Sequence, residues 1–222
     1  VAKGSGMIEP NMATMLCYIF TDAALDAATL DRELRDAVDA TFNQLTVDGD
    51  TSTSDTCAIL ANGLAGAVDL DAFRAALHAG CLRMTETLAR DGEGATRLLR
   101  VRVTGAATTA EARTIAKSIA NSPLIKTMVH GADPNVGRIL MAIGKCVTCT
   151  IRPEATDAWV NGFQVVQGGT RLAFDDAVVR AALATDVVDL DVVLGVGTGE
   201  ARAFGCDLTK GYIDENAAYY SS

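Results

Sequence analysis

The chain has 222 residues, 49% of them hydrophobic and only 5% aromatic, enough to fill one large or two small cores mainly with Ala, Val, Leu and Ile. Its 28 acidic and 19 basic residues give a formal net charge of −9 without a Lys/Arg cluster, which argues against nucleic acid as a partner. No apolar run reaches the ~20 residues that cross a bilayer, and no basic start with a long apolar centre opens the chain, so a cytoplasmic protein with no membrane association is expected.

In chain order, Gly4-Ser5-Gly6 supplies a hinge and Pro10 a rigid point before Ala13-Thr14, which leads into an apolar strand expected from Met15 to Phe20. A threonine between a loop and a strand is a candidate nucleophile, with the carbonyl of Ala13 as its target. A hydroxyl is a weak nucleophile until a base adjoins it. Cleavage of the Ala13–Thr14 bond would provide one, an α-amino group with a reference pKa near ~8 within reach of the Thr14 hydroxyl. On the residues alone, the alternative is that Thr14 merely begins a strand.

Thr29 is expected to cap a helix whose one face carries Leu30, Leu34, Val38, Phe42 and Leu45. The polar stretch Asp48 to Asp55 then breaks the periodicity, as a solvated turn or as the lining of a site; it lacks the terminal Glu of a calcium loop, so no metal is assigned. A strand from Thr56 to Ala61 precedes a helix from Leu70 to Ala89, with Phe73, Leu77, Cys81, Met84 and Leu88 on one face and a structural His78 beside it.

Glu93, set between Gly92 and Gly94, either decorates a surface turn or sits where the backbone closes on a ligand, ahead of a strand from Leu99 to Val103. Gly105-Ala106-Ala107 reads as a domain boundary, and Thr108 with Glu111 as a capping box for a helix to Ala120. Beyond it, a strand from Leu124 to Val129, a turn from His130 to Asn135 and a helix from Val136 to Ile143 are expected. His130 is a candidate base, although a threonine with its own amine needs none.

Cys146 and Cys149 are expected in a strand continuing to Arg152, since one CxxC without a second pair or a nearby His is a poor zinc site. A strand from Gly162 to Gln167, a helix from Asp175 to Ala184 and a hairpin of Val187–Val196 with Glu200–Cys206 follow. The hairpin's Gly197-Thr198-Gly199 turn lacks the spacing of a phosphate-binding loop. The tail from Asp214 to Ser222 is polar and reads as frayed.

Four blocks, in order, carry a resemblance: Lys3 to Leu16 with Thr21-Asp22-Ala23; Val47-Asp48-Gly49-Asp50-Thr51-Ser52-Thr53; Asn121-Ser122-Pro123-Leu124 with His130-Gly131-Ala132-Asp133-Pro134-Asn135; and Gly205-Cys206-Asp207-Leu208-Thr209. Together they resemble the ornithine acetyltransferase, or glutamate N-acetyltransferase, family of arginine biosynthesis. The resemblance implies a precursor that cuts itself between Ala13 and Thr14, with Thr14 then carrying acetyl from N2-acetylornithine to glutamate; some members also accept acetyl-CoA. It implies substrate-binding roles for Lys3, Thr14, Glu93, Asn216 and a terminal hydroxyl residue. Spacing from Asn216 selects Ser221, and alignment from the chain end selects Ser222.

The resemblance also implies an α-β-β-α layered sandwich with mixed sheets and a smaller second lobe, no cofactor, an upstream alpha segment holding the oxyanion hole, and an α2β2 heterotetramer. The chain would then divide into residues 1–13 as the end of that segment, 14–105 as the nucleophile-bearing domain and 106–222 as the second lobe. Two rivals remain: an N-terminal-threonine amidohydrolase or aminopeptidase in which water takes the acyl group, and an uncut scaffold without activity.

Overall fold

The structure, a computed structural model, describes residues 1–9, 15–51 and 55–217. Ala13, Thr14, Ser221 and Ser222 lie outside the described residues. The chain forms two units, Val1–Asp91 and Gly92–Ser222.

In the first unit, strand β1 (Ala2–Lys3) runs antiparallel to β2 (Leu16–Ala23), which pairs in parallel with β3 (Thr56–Gly66). Parallel neighbours need a crossover, and helix α1 (Ala27–Ala40) provides it. Its N-cap is Asp26 rather than Thr29: the Asp26 carboxylate accepts the Thr29 N–H at 2.9 Å and the Thr29 hydroxyl at 2.9 Å. Phe42 and Leu45, expected on the helix, are instead fully buried in and just after a 3-10 turn, Phe42–Gln44. Helix α2 (Leu70–Arg90) buries Leu77, Cys81 and Leu88 and leaves His78 exposed. The Arg74 guanidinium forks onto Glu33, which is 1% exposed, through Nε at 2.8 Å and Nη2 at 3.1 Å, joining α2 to α1.

The second unit holds a mixed sheet in the order β7-β6-β5-β8-β4-β9, made of β4 (Leu98–Ala106), β5 (Asp157–Val160), β6 (Phe163–Gln167), β7 (Thr170–Arg171), β8 (Val187–Val193) and β9 (Gly199–Cys206). Along β4 and β8 the side chains alternate. Leu99, Val101, Val103, Val188, Leu190 and Val192 enter the core, while the other face carries Arg100 and Asp189, paired at 2.6 Å. Helix α3 (Thr109–Ala120) packs on β4 and β9 through Ala112, Ile115, Ala116 and Ile119, all fully buried.

Leu124 to Val129 is not a strand but part of α4 (Pro123–Gly131), started by Ser122, whose hydroxyl accepts the Ile125 N–H, and by Pro123 in the first turn. After α5 (Gly137–Gly144), the Cys146–Cys149 stretch is a turn, closed by the Cys149 N–H to the Cys146 carbonyl at 3.0 Å. β8 and β9 form no hairpin, because β4 lies between them, parallel to β8 and antiparallel to β9. That pairing places β4 in the second unit, so the division falls after Asp91, not near residue 105, and the second unit is the longer one. Helix α6 (Asp176–Leu183) matches its expectation, and the tail begins as α7 (Lys210–Ala217).

Candidate active site

The loop after Leu45 grips the chain ahead of the expected cut. Asp48 accepts the Met7 N–H at 2.6 Å and the Ile8 N–H at 2.9 Å, the Val47 N–H donates to the Ile8 carbonyl at 2.7 Å, and the Glu9 N–H to the Asp50 carbonyl at 3.0 Å. Met7 is held at a φ of 52°, a left-handed conformation that costs a non-glycine residue about 1–2 kcal/mol. On the far side, the Met15 N–H donates to the Asp55 carboxylate, and the Thr56 N–H to the Met15 carbonyl at 2.9 Å. Residues 7–9 and residue 15 are thus both pinned by one polar loop, with residues 10–14 between them. Lys3 is exposed and pairs with Leu16 across β1 and β2.

In the second unit, Glu93 and Asn216 meet although 123 positions apart: Asn216 Nδ2 donates to Glu93 Oε2 at 2.8 Å. Gly94 permits this. It sits at a φ of +63°, and a Cβ there would lie 2.3 Å from the Tyr212 nitrogen. The close approach allowed by the glycine is therefore that of α7's own backbone. The Thr209 hydroxyl donates to the Gly94 carbonyl at 2.7 Å, fixing the same turn from the other side.

Beneath this turn lies Asp207, 2% exposed. Its carboxylate accepts the Thr96 N–H at 2.8 Å, the Arg97 N–H at 2.9 Å and the Thr96 hydroxyl at 2.5 Å, and lies 3.0 Å from His130 Nδ1. Burial alone would raise this carboxyl, but the donors from Thr96, Arg97 and His130 outweigh it and hold it below the usual carboxylate range. His130, the candidate base, thus has a carboxylate partner that orders the Glu93 turn. Asp48 and Asp207 carried no individual signal in the sequence beyond the blocks that contain them, and Asp55 none beyond its place at the end of the polar stretch. Among the described residues, no group of three or more His, Cys, Asp or Glu could hold a metal ion, and no helix is long and apolar enough to cross a membrane.

Two mixed sheets covered by helices define a mixed α/β protein. The ArgJ family model matches residues 1–221. The chain is 50% identical over 221 residues to "Arginine biosynthesis bifunctional protein ArgJ" of Rhodococcoides fascians, a match covering 99% of this chain and 55% of that protein. It is 46% identical to "Glutamate N-acetyltransferase Oat2" of Streptomyces clavuligerus, covering 99% of this chain and 57% of that protein. A crystal structure of arginine biosynthesis bifunctional protein ArgJ from Bacillus halodurans superposes with a TM-score of 0.90 at 40% identity, covering 93% of this chain and 100% of that chain. The chain belongs to the ArgJ family, and it spans about half the length of the curated relatives it matches.

Proposed function

We propose that the protein of which this chain is part is a self-cleaving glutamate N-acetyltransferase of arginine biosynthesis. The observation that carries this is the grip on both sides of Ala13-Thr14, through Asp48 on Met7 and Ile8 and through Asp55 on Met15. Met7, Ile8 and Met15 are thereby held on either side of the bond to be cut, and an intramolecular attack is favoured by fixed surroundings. Thr14 Oγ attacks the Ala13 carbonyl carbon, the Ala13–Thr14 C–N bond breaks with the hydroxyl proton passing to nitrogen, and water hydrolyses the resulting ester.

In turnover, the freed amine takes the Thr14 hydroxyl proton as Oγ attacks the acetyl carbonyl of N2-acetylornithine. The C–N bond breaks, the ammonium returns its proton to the departing nitrogen of ornithine, and acetyl remains on Oγ as an ester. The amine of glutamate then attacks that ester and gives a proton to the Thr14 amine; the C–O bond breaks and the proton returns to Oγ. Glu93, oriented by Asn216, suits the free ammonium of the ornithine side chain, Lys3 suits a substrate carboxylate, and Ser221 or Ser222 closes the site.

Family members covered only to 55% and 57% support an upstream segment as partner. Tyr18, Phe20 and Leu60, on one face of β2 and β3 and 42%, 70% and 50% exposed, would seat it beside the edge strand β3. An α2β2 assembly in the cytoplasm, with acetyl-CoA as an additional donor, belongs to the same proposal. The test is processing of the full-length precursor: one product should begin Thr-Met-Leu-Cys, and Thr14→Ala should stay uncut. Normal cutting of Thr14→Ala would assign the cut to another protease and remove the proposed nucleophile.

A further inference from the structure

The parallel register of β2 and β3 sets Leu16 opposite Thr56, so the residues just before them, Met15 and Asp55, meet at the mouth of the pair. There Asp55 Oδ1 accepts the Met15 N–H, the amide of the peptide that joins Thr14 to Met15. The second oxygen, Oδ2, is buried and has no hydrogen-bond partner among the described residues. A buried carboxylate oxygen without a donor is costly and is compensated by a proton or by a nearby cation. Burial indeed pushes the Asp55 carboxyl up, against the lowering effect of the Met15 hydrogen bond.

We propose, on the basis that Thr14 becomes a free N-terminus as set out above, that Asp55 is the counter-ion and positioning residue of the Thr14 α-amine. Standard bond lengths keep the Thr14 nitrogen within ~4 Å of the Met15 nitrogen whatever the torsion between them, so a carboxylate bonded to the second lies within ionic reach of the first. Before the cut that nitrogen is a neutral amide. Afterwards it is an amine that becomes an ammonium twice per turnover, once with the proton of the Thr14 hydroxyl and once with a proton of the glutamate amine. The Asp55 carboxylate stabilises that ammonium through its charge. Asp55 touches neither substrate nor the acetyl group; it acts through the amine.

The strands paired at this end carry Lys3 on β1, Cys17, Tyr18 and Asp22 on β2 and Cys57 on β3, the flanking loops carry Glu9, Asp48 and Asp50, and Cys81 of α2 lies near Cys17 and Cys57. Among the described residues, Asp55 is the group that bonds to the peptide N–H following Thr14.

The test uses the full-length precursor carrying Asp55→Asn, whose amide oxygen still accepts the Met15 N–H while the charge is gone. An adjacent carboxylate raises an amine's pKa and its removal lowers it. The acid limb of kcat/KM for N2-acetylornithine should therefore move to lower pH by about 1 unit or more, with kcat down ~10-fold and KM little changed. Asp55→Glu should keep the limb near its wild-type position. An unmoved limb in Asp55→Asn overturns the assignment and leaves Asp55 a backbone pin. Should Asp55→Asn fold but stay uncut, Asp55→Glu decides: cutting there supports the carboxylate, and equal failure of both overturns it. A wild-type precursor that yields no chain beginning Thr-Met-Leu-Cys brings down the proposed function and this inference together, whereas normal wild-type processing with an unmoved limb removes only the role of Asp55.

Discussion

Replacing Glu93 by Gln leaves an oxygen for Asn216 Nδ2 to donate to and takes away only the charge. If that charge meets the ammonium of ornithine, kcat/KM for N2-acetylornithine should fall by about 2–4 kcal/mol, or roughly 30- to 1000-fold, with the thermal midpoint nearly unchanged. Unaltered kcat/KM would return Glu93 to a surface turn. Asp207 tests the support of that turn. Because its carboxyl lies below the ordinary range in the fold, its contribution is fully present above the ordinary Asp value of ~3.9 and is lost as pH falls through the lower native value. Asp207→Asn should therefore cost about 1–3 kcal/mol of stability in urea at pH 7, and the gap from wild type should narrow as pH falls below the ordinary Asp range. A gap independent of pH would show that the charge of Asp207 contributes nothing.

Gly94 joins the turn to the helix that carries Asn216. Gly94→Ala adds a Cβ that would sit 2.3 Å from the Tyr212 nitrogen and 2.5 Å from the Gly211 carbonyl carbon, so α7 must shift and draw Asn216 away from Glu93. Gly66→Ala is the control, with a similar φ of +74° and nothing within 4 Å. Both should lose about 1–3 kcal/mol of stability from backbone strain, and only Gly94→Ala should also lose kcat/KM. Equal kinetic loss in both would point to general destabilisation. Elements defined by local pattern were legible in the sequence: α2 and α3 by their apolar spacing, β4 by its alternation, and α3's start by Thr108, whose hydroxyl accepts the Glu111 N–H at 3.1 Å. Leu124 to Val129 misled because an apolar run of six fits a strand or a buried helix equally, and the signal that decides it, Ser122-Pro123, lies outside the run. The place of β4 between β8 and β9 depends on pairing with residues 89 positions away in β8 and 93 to 108 away in β9, which no local pattern encodes. The site divides in the same way. Lys3, Glu93 and Asn216 were reached through family resemblance, whereas Asp55 becomes visible only once the β2–β3 register sets it against Met15.

The first unit leaves Phe20, Leu60 and Leu64 exposed at 70%, 50% and 84%, apolar side chains that the proposed upstream segment would cover. With the upstream segment seated there, Phe20→Lys with Leu60→Lys in the full-length precursor should separate the two cut pieces on gel filtration, while the wild-type pieces travel together. Co-migration of the variant pieces would place the contact elsewhere. Transfer through Thr14 requires an acetyl ester on its hydroxyl. Mature full-length enzyme mixed with N2-acetylornithine labelled in its acetyl group, without glutamate, should carry one label on the hydroxyl of the peptide beginning Thr-Met-Leu-Cys, and adding glutamate should release it as N-acetylglutamate. Label appearing as free acetate with glutamate in excess would make the enzyme an amidohydrolase, and a Thr14 peptide that never takes label in an enzyme that still turns over would contradict the covalent route.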